Sequence, residues 1–115
     1  MKDIMKEIEY KGKTYKIVFN LNVMEEIQEK YETLEKWGKL TDGSNGEVNI
    51  KALIYGFTKM LNEGIEINNE DNGTNESLLT EKQVGRMMSE IGLEKMANTL
   101  NETVIDSTKS AEKNA

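Results

Sequence analysis

A chain of 115 residues with a formal charge of −6, from 21 acidic and 15 basic side chains, has the size of one domain and the wrong sign for gripping a phosphate backbone. It contains no cysteine, histidine or proline, which removes disulfides, thiolate nucleophiles, the common zinc sites and the side chain that most often moves protons near neutral pH. Only 37% of residues are hydrophobic and 6% aromatic, so the core has to rest on Leu, Ile, Val and seven methionines.

Residues 6–19 read as a β-hairpin. Ile8 and Tyr10 alternate with charged neighbours, Lys11-Gly12-Lys13 supplies a turn, and Thr14 to Phe19 returns. A two-stranded hairpin is marginal alone, so its apolar face must lie on helices. Which face that is stays open: Ile8, Tyr10, Tyr15, Ile17 and Phe19 suggest one, while Val18 points the other way. The apolar period then changes from two to about 3.6 within Asn20-Leu21-Asn22, so the strand feeds directly into a helix. That first helix is predicted over 23–37, with Asn22 as N-cap and Glu25 placed as in a capping box. Val23, Met24, Ile27, Tyr31, Leu34 and Trp37 make it the expected main wall of the core, Gly38 its stop, and 39–47 a loop.

A second helix is predicted over 50–62, capped by Asn49, with Ile50, Leu53, Ile54, Phe57, Met60 and Leu61 in one apolar stripe. Gly64 reads as its end, Ile65 and Ile67 as a short extended piece, and 68–77 as a flexible polar loop. The third helix, 81–91, has the clearest start in the chain: Thr80 and Gln83 form a capping box, and Leu79 and Val84 a hydrophobic staple. Its apolar face is Val84, Met87, Met88 and Ile91, and Gly92 closes it. Leu93, Met96, Ala97, Leu100 and Val104 define a fourth helix over 93–106, and 107–115 reads as a flexible tail. The expected fold class is α+β, mainly α: one domain over 1–106, with an N-terminal hairpin packed on about four helices.

The sequence offers little chemistry. Gly12-Lys13-Thr14 ends like a phosphate-binding loop, but position 7, where the first glycine belongs, is Glu7. Asn68, Glu70 and Asn72 with Gly73 imitate the start of a calcium loop whose twelfth position is Leu79 instead of a bidentate Glu. Glu25, Glu26, Glu29 and Glu32 share the first helix with Lys30 and Lys36 and read as an ordinary solvated face. No catalytic, cofactor or metal residue is assigned, and no enzyme activity is expected. No apolar run approaches the roughly 18 residues of a membrane span and no signal peptide precedes the first strand, so a cytoplasmic protein is expected. Met87, Met88 and Met96, with Met24, suit either an adaptable groove for another protein's helix or a core short of aromatics.

Three stretches, in order, carry a family resemblance. They are Gly12-Lys13-x-Tyr15-Lys16 leading into Val18-Phe19-Asn20-Leu21-Asn22, then Ala52-Leu53-Ile54-Tyr55-Gly56-Phe57, then Leu79-Thr80-Glu81-x-x-Val84-Gly85. On these the chain resembles the tail assembly chaperones of long-tailed bacteriophages and prophages. The resemblance implies a non-enzymatic protein in the cytoplasm of the bacterial host, coating the long helical tape measure protein before the tail tube polymerises around it. It further implies the tail tube protein as a second partner, and in many members a frameshift-extended form, of which this chain would be the short product. Self-association is a further expectation; nucleic acid, membrane and cofactors are not expected partners. The alternative reading is a structural tail or head–tail joining component, for which the 64–77 stretch would be an exposed arm. No binding motif carries over from the family, so the physical reading places the partner groove along Trp37, Met88, Met96, Leu100 and Val104.

Overall fold

A computed structural model of the chain describes residues 5–113 except residue 45, with side chains described for 6–106. Residues 1–4 of the predicted domain, Asn45 of the predicted 39–47 loop and residues 114–115 of the predicted tail lie outside the described residues. The fold class is α+β, mainly α: an antiparallel hairpin followed by five helices.

Strands β1 (Met5–Tyr10) and β2 (Lys13–Val18) pair with Ile8 opposite Tyr15 and Tyr10 opposite Lys13. The turn is therefore two residues, Lys11 and Gly12, at φ +52° and +77°. Positive φ at both central positions is the turn whose twist matches that of the flanking strands. The register puts Ile8, Tyr10, Tyr15 and Ile17 on one face, and Ile8 and Ile17 are buried in the main core. Val18, on the other face, is buried as well but outside that cluster.

Helix α1 (Leu21–Tyr31) starts two residues before the predicted position. Its cap is Asn20, not Asn22: the Asn20 side-chain oxygen accepts from the Val23 N–H at 3.2 Å. Both asparagines also donate to the Glu63 carboxylate, at 2.6 and 3.0 Å, which ties the start of α1 to α3. The predicted single helix over 23–37 is two. At Glu32 the backbone takes φ +74°, ψ −50°, and the Thr33 N–H donates to the Tyr31 carbonyl at 2.9 Å. This is the rare, strained form of the γ-turn. Thr33 then caps α2 (Leu34–Thr41), its hydroxyl accepting from the Lys36 N–H at 3.0 Å. Gly38 lies inside α2 and stops nothing. The unbroken apolar spacing Ile27, Tyr31, Leu34 hides this corner, because all three side chains still reach the core from two helix axes.

Helix α3 (Ile50–Asn72), capped by Asn49 as predicted, runs ten residues past its expected end at 62. It packs on β2, α1, α2 and α4, so α3 is the central wall, a place the sequence gives to the first helix. Two of its glycines explain the packing. A Cβ at Gly56 would lie 2.4 Å from Trp37 Cζ2, and one at Gly64 would lie 2.6 Å from the Lys16 carbonyl oxygen. Gly64 is thus a point of close approach between helix and strand, not a stop, and Ile65 and Ile67 are helical. The stop is Gly73, at φ +64°.

The predicted flexible loop over 68–77 is helix to Asn72 and then a strap held along α3. Asn69 accepts from the Glu76 N–H at 3.0 Å and donates to the Glu76 carbonyl at 3.1 Å. Two turns earlier, Asn62 does the same to Leu79, at 2.8 and 2.9 Å. Seven helical residues advance about 10.5 Å and three extended ones about 10 Å, so the two clamps match the strap's own spacing. The helical course of 68–72 also removes the loop geometry a calcium site needs.

Helix α4 (Glu81–Ile91) has the predicted capping box, and Gly92 ends it at φ +114°. Helix α5 (Leu93–Lys113) continues seven residues beyond the predicted 106, through part of the predicted tail. It packs on α4 and reaches back to β1, where Lys6 pairs with Asp106 at 3.4 Å. Among the described residues, no helix is long and apolar enough to cross a membrane.

Candidate functional site

Four of the five residues expected to line a partner groove are sealed in the core. Trp37 is 2% exposed, Met88 3%, and Met96 and Leu100 fully covered. The Trp37 indole lies against Gly56, stacks on Phe19 at 6.2 Å between ring centres, and donates to the Ala52 carbonyl at 3.0 Å. Met87 and Met88 both point inward although adjacent, because α4 is packed on one side by α3 and on the other by α5. Unbranched side chains fill such a seam more easily than branched ones. Val104 is half-buried and packs against the core edge. These five residues do not line an open groove.

An opening does exist elsewhere. Between the first turns of α3 and the outer face of α4 lies an open groove of about 790 Å³. Ile50, Ile54 and Gly85 give it an apolar floor, and Lys51, Lys82, Arg86 and Glu81 stand around it. Ile50 is 47% exposed and Ile54 half-buried. Their i,i+4 spacing puts both on one side of α3, next to the stripe that fills the core. Among the described residues Lys51, Lys82 and Arg86 make no ion pair.

The surroundings of this groove are tied down. Tyr55, the residue after Ile54, meets Tyr31 edge to face at 5.7 Å, with Lys30 4.4 Å from its ring centre. Burial pushes both phenols above their ordinary pKa, and Glu81 adds to the rise, so both stay neutral through the physiological range. Tyr55 donates to the Glu26 carbonyl at 3.1 Å, and Lys59 pairs with the Glu26 carboxylate at 3.3 Å.

Other openings have a different character. The cleft of about 370 Å³ beside Leu78 is otherwise walled by Asn, Glu and Lys side chains, Glu25, Glu63 and Glu66 among them. Leu93 borders one with only polar neighbours and Gly92. A small crevice of about 90 Å³ lies where the strap meets the hairpin, and there Lys13 donates to the Glu76 carboxylate, which also accepts from Asn68 at 3.1 Å. The Lys13 bond holds the Glu76 pKa below the ordinary carboxylate value. Among the described residues, no group of three or more Asp or Glu side chains is arranged to hold a metal ion.

Sequence reasoning assigned Ile50 and Ile54 to the core stripe and named Gly85 only within the third stretch of the resemblance, not as a site residue. The usable signal was a glycine in mid-helix with no turn to make. No family model matches the chain, and comparison with curated proteins and with solved structures finds none similar to it.

Proposed function

We propose that this chain is a non-enzymatic assembly chaperone of the phage tail type its sequence resembles, one that binds the long helical tape measure protein and keeps it soluble in the host cytoplasm. One observation carries the reading. The second and third stretches of the resemblance meet, through Ile54 and Gly85, on the floor of an open apolar groove. A tape measure presents long amphipathic helices with repeated apolar stripes, and an apolar groove between two helices suits helix-in-groove recognition. Each copy binds modestly, and many copies along one partner give the tail precursor its protection.

The test is co-expression with the candidate tape measure protein. The expected result is a soluble tape measure that co-purifies with this chain, several copies to one. An insoluble tape measure and no co-purification would refute the reading. An exposed arm at 64–77 would favour the joining-component alternative; that stretch is helix to Asn72, followed by a strap whose main chain Asn69 clamps.

A further inference from the structure

The fold accounts for two of the glycines of α3 and leaves Gly85 of α4 unexplained. At Gly56 and Gly64 a methyl would drive into the Trp37 ring or the β2 main chain. At Gly85 it would meet only Ile54 Cδ1, at 3.5 Å, an ordinary contact, and φ is not positive. Glycine inside a helix is destabilising relative to alanine, so this one weakens α4 with no steric return to the fold. Gly38 in α2 is equally uncrowded, with nothing within 4 Å of its position, and it lines none of the openings described above. What Gly85 does is keep the floor low between Ile54 and the arms of Lys82 and Arg86.

The charges around that floor run against the rest of the molecule. Three cations (Lys51, Lys82, Arg86) against one anion (Glu81) give the groove a formal +2 on a chain of net −6. An acidic segment is repelled by most of this surface and attracted here. Arg86 offers the planar fork that takes a carboxylate in two parallel bonds.

We infer that the groove is a docking seat for an acidic amphipathic segment of another polypeptide, which sets an apolar side chain on Ile54 and Gly85 and lays its carboxylates against Lys51, Lys82 and Arg86. The inference rests on the chaperone reading and adds the partner's chemistry to it.

The test uses the full chain and two labelled synthetic amphipathic helical peptides, alike in their leucine stripe, one flanked by glutamates and one by lysines. Expected are anisotropy-detected binding of the glutamate peptide alone and amide shift changes centred on Ile50, Ile54 and Gly85. Lys82→Glu with Arg86→Glu should weaken that peptide about tenfold and admit the lysine peptide. Gly85→Leu should abolish binding. Gly85→Ala, which adds a methyl without a clash, should be at least as heat-stable as the parent and bind more weakly. Binding blind to flanking charge, shifts centred elsewhere, no binding at all, or full affinity in Gly85→Ala and Gly85→Leu would each overturn the inference. So would a dimer in sedimentation equilibrium that Gly85→Leu dissociates, because the occupant would then be a second copy. If groove variants still solubilise the tape measure protein, the inference fails and the chaperone reading stands. If the glutamate peptide docks as expected but the tape measure is not rescued, the reading fails and the seat stands.

Discussion

Gly56→Ala sets two known effects against each other at one atom. At an open helix position the change stabilises by about 1 kcal/mol, because alanine is the better helix former. Here the new Cβ would sit 2.4 Å from Trp37 Cζ2 and 3.3 Å from its Nε1. The indole cannot slide freely: it is 2% exposed, stacked on Phe19 and bonded to the Ala52 carbonyl at 3.0 Å. Overpacking of this kind costs about 1–3 kcal/mol, and stretching the indole bond beyond reach leaves a buried N–H unpaired at about 1–3 kcal/mol more. After the helix gain, the net expectation is a loss of about 1–5 kcal/mol. Urea unfolding followed by circular dichroism at the helix band measures it, since Trp37 is the only tryptophan and its emission is lost in the partner variant. Trp37→Phe should itself destabilise. In that background Gly56→Ala should become near neutral or favourable, a coupling of at least about 1 kcal/mol in a double-mutant cycle. A Gly56→Ala protein more stable than its parent, or a cycle that simply adds, would refute the close approach of α2 and α3 as the reason for this glycine.

Glu32→Gly should stabilise the chain by up to about 1 kcal/mol in the same assay, because it releases strain at φ +74° and gives up only an exposed pair with Lys36; a destabilised variant would argue against the γ-turn. Asn69→Ala should cost about 1–3 kcal/mol and speed hydrogen exchange at the Glu76 amide, while leaving exchange in α4 unchanged; unaltered Glu76 protection would mean the strap is held otherwise. The Glu76 carboxyl should titrate below an ordinary glutamate, with the Lys13 bond as the largest cause. A lowered folded-state pKa means the strap-to-hairpin link is in place above the ordinary glutamate value of about 4.3 and is lost as pH falls through the folded value. Carbon-13 NMR of the side chain should show this, with Lys13→Met moving the midpoint up; an unmoved midpoint would refute the link.

What the sequence made legible were features whose residues have one local use. Thr80 with Gln83, Asn49, and the Lys11-Gly12 turn act on backbone groups within three residues, and each is found in place. Strand alternation needs only local register, so Ile8, Tyr10, Tyr15 and Ile17 group on one side, but which side is buried stays open in the sequence, and Val18 on the other side is buried as well. Gly64 shows the limit. The same letter serves a helix end and a close approach, and only the Lys16 carbonyl, 48 residues away, decides between them. The strap was illegible for a like reason: Asn62 reads as the last residue of a helix and Asn69 as part of a polar loop until the segment they hold lies beside them. Glu32 gave no signal, since nothing in a glutamate announces positive φ. The expected groove along Met88, Met96 and Leu100 failed because methionine character suits a core seam as well as a partner.

The two asparagine clamps grip peptide groups and ask nothing of the side chains those groups carry. Ser77 and Leu78, between the gripped positions, are both exposed. Their letters can change without loosening the grip, so this short span is where a tag, a cross-linker or an altered recognition sequence can be written while the helices beneath remain as they are. Evolution has the same freedom there, and substitutions should gather between the clamps before they reach Asn62 or Asn69.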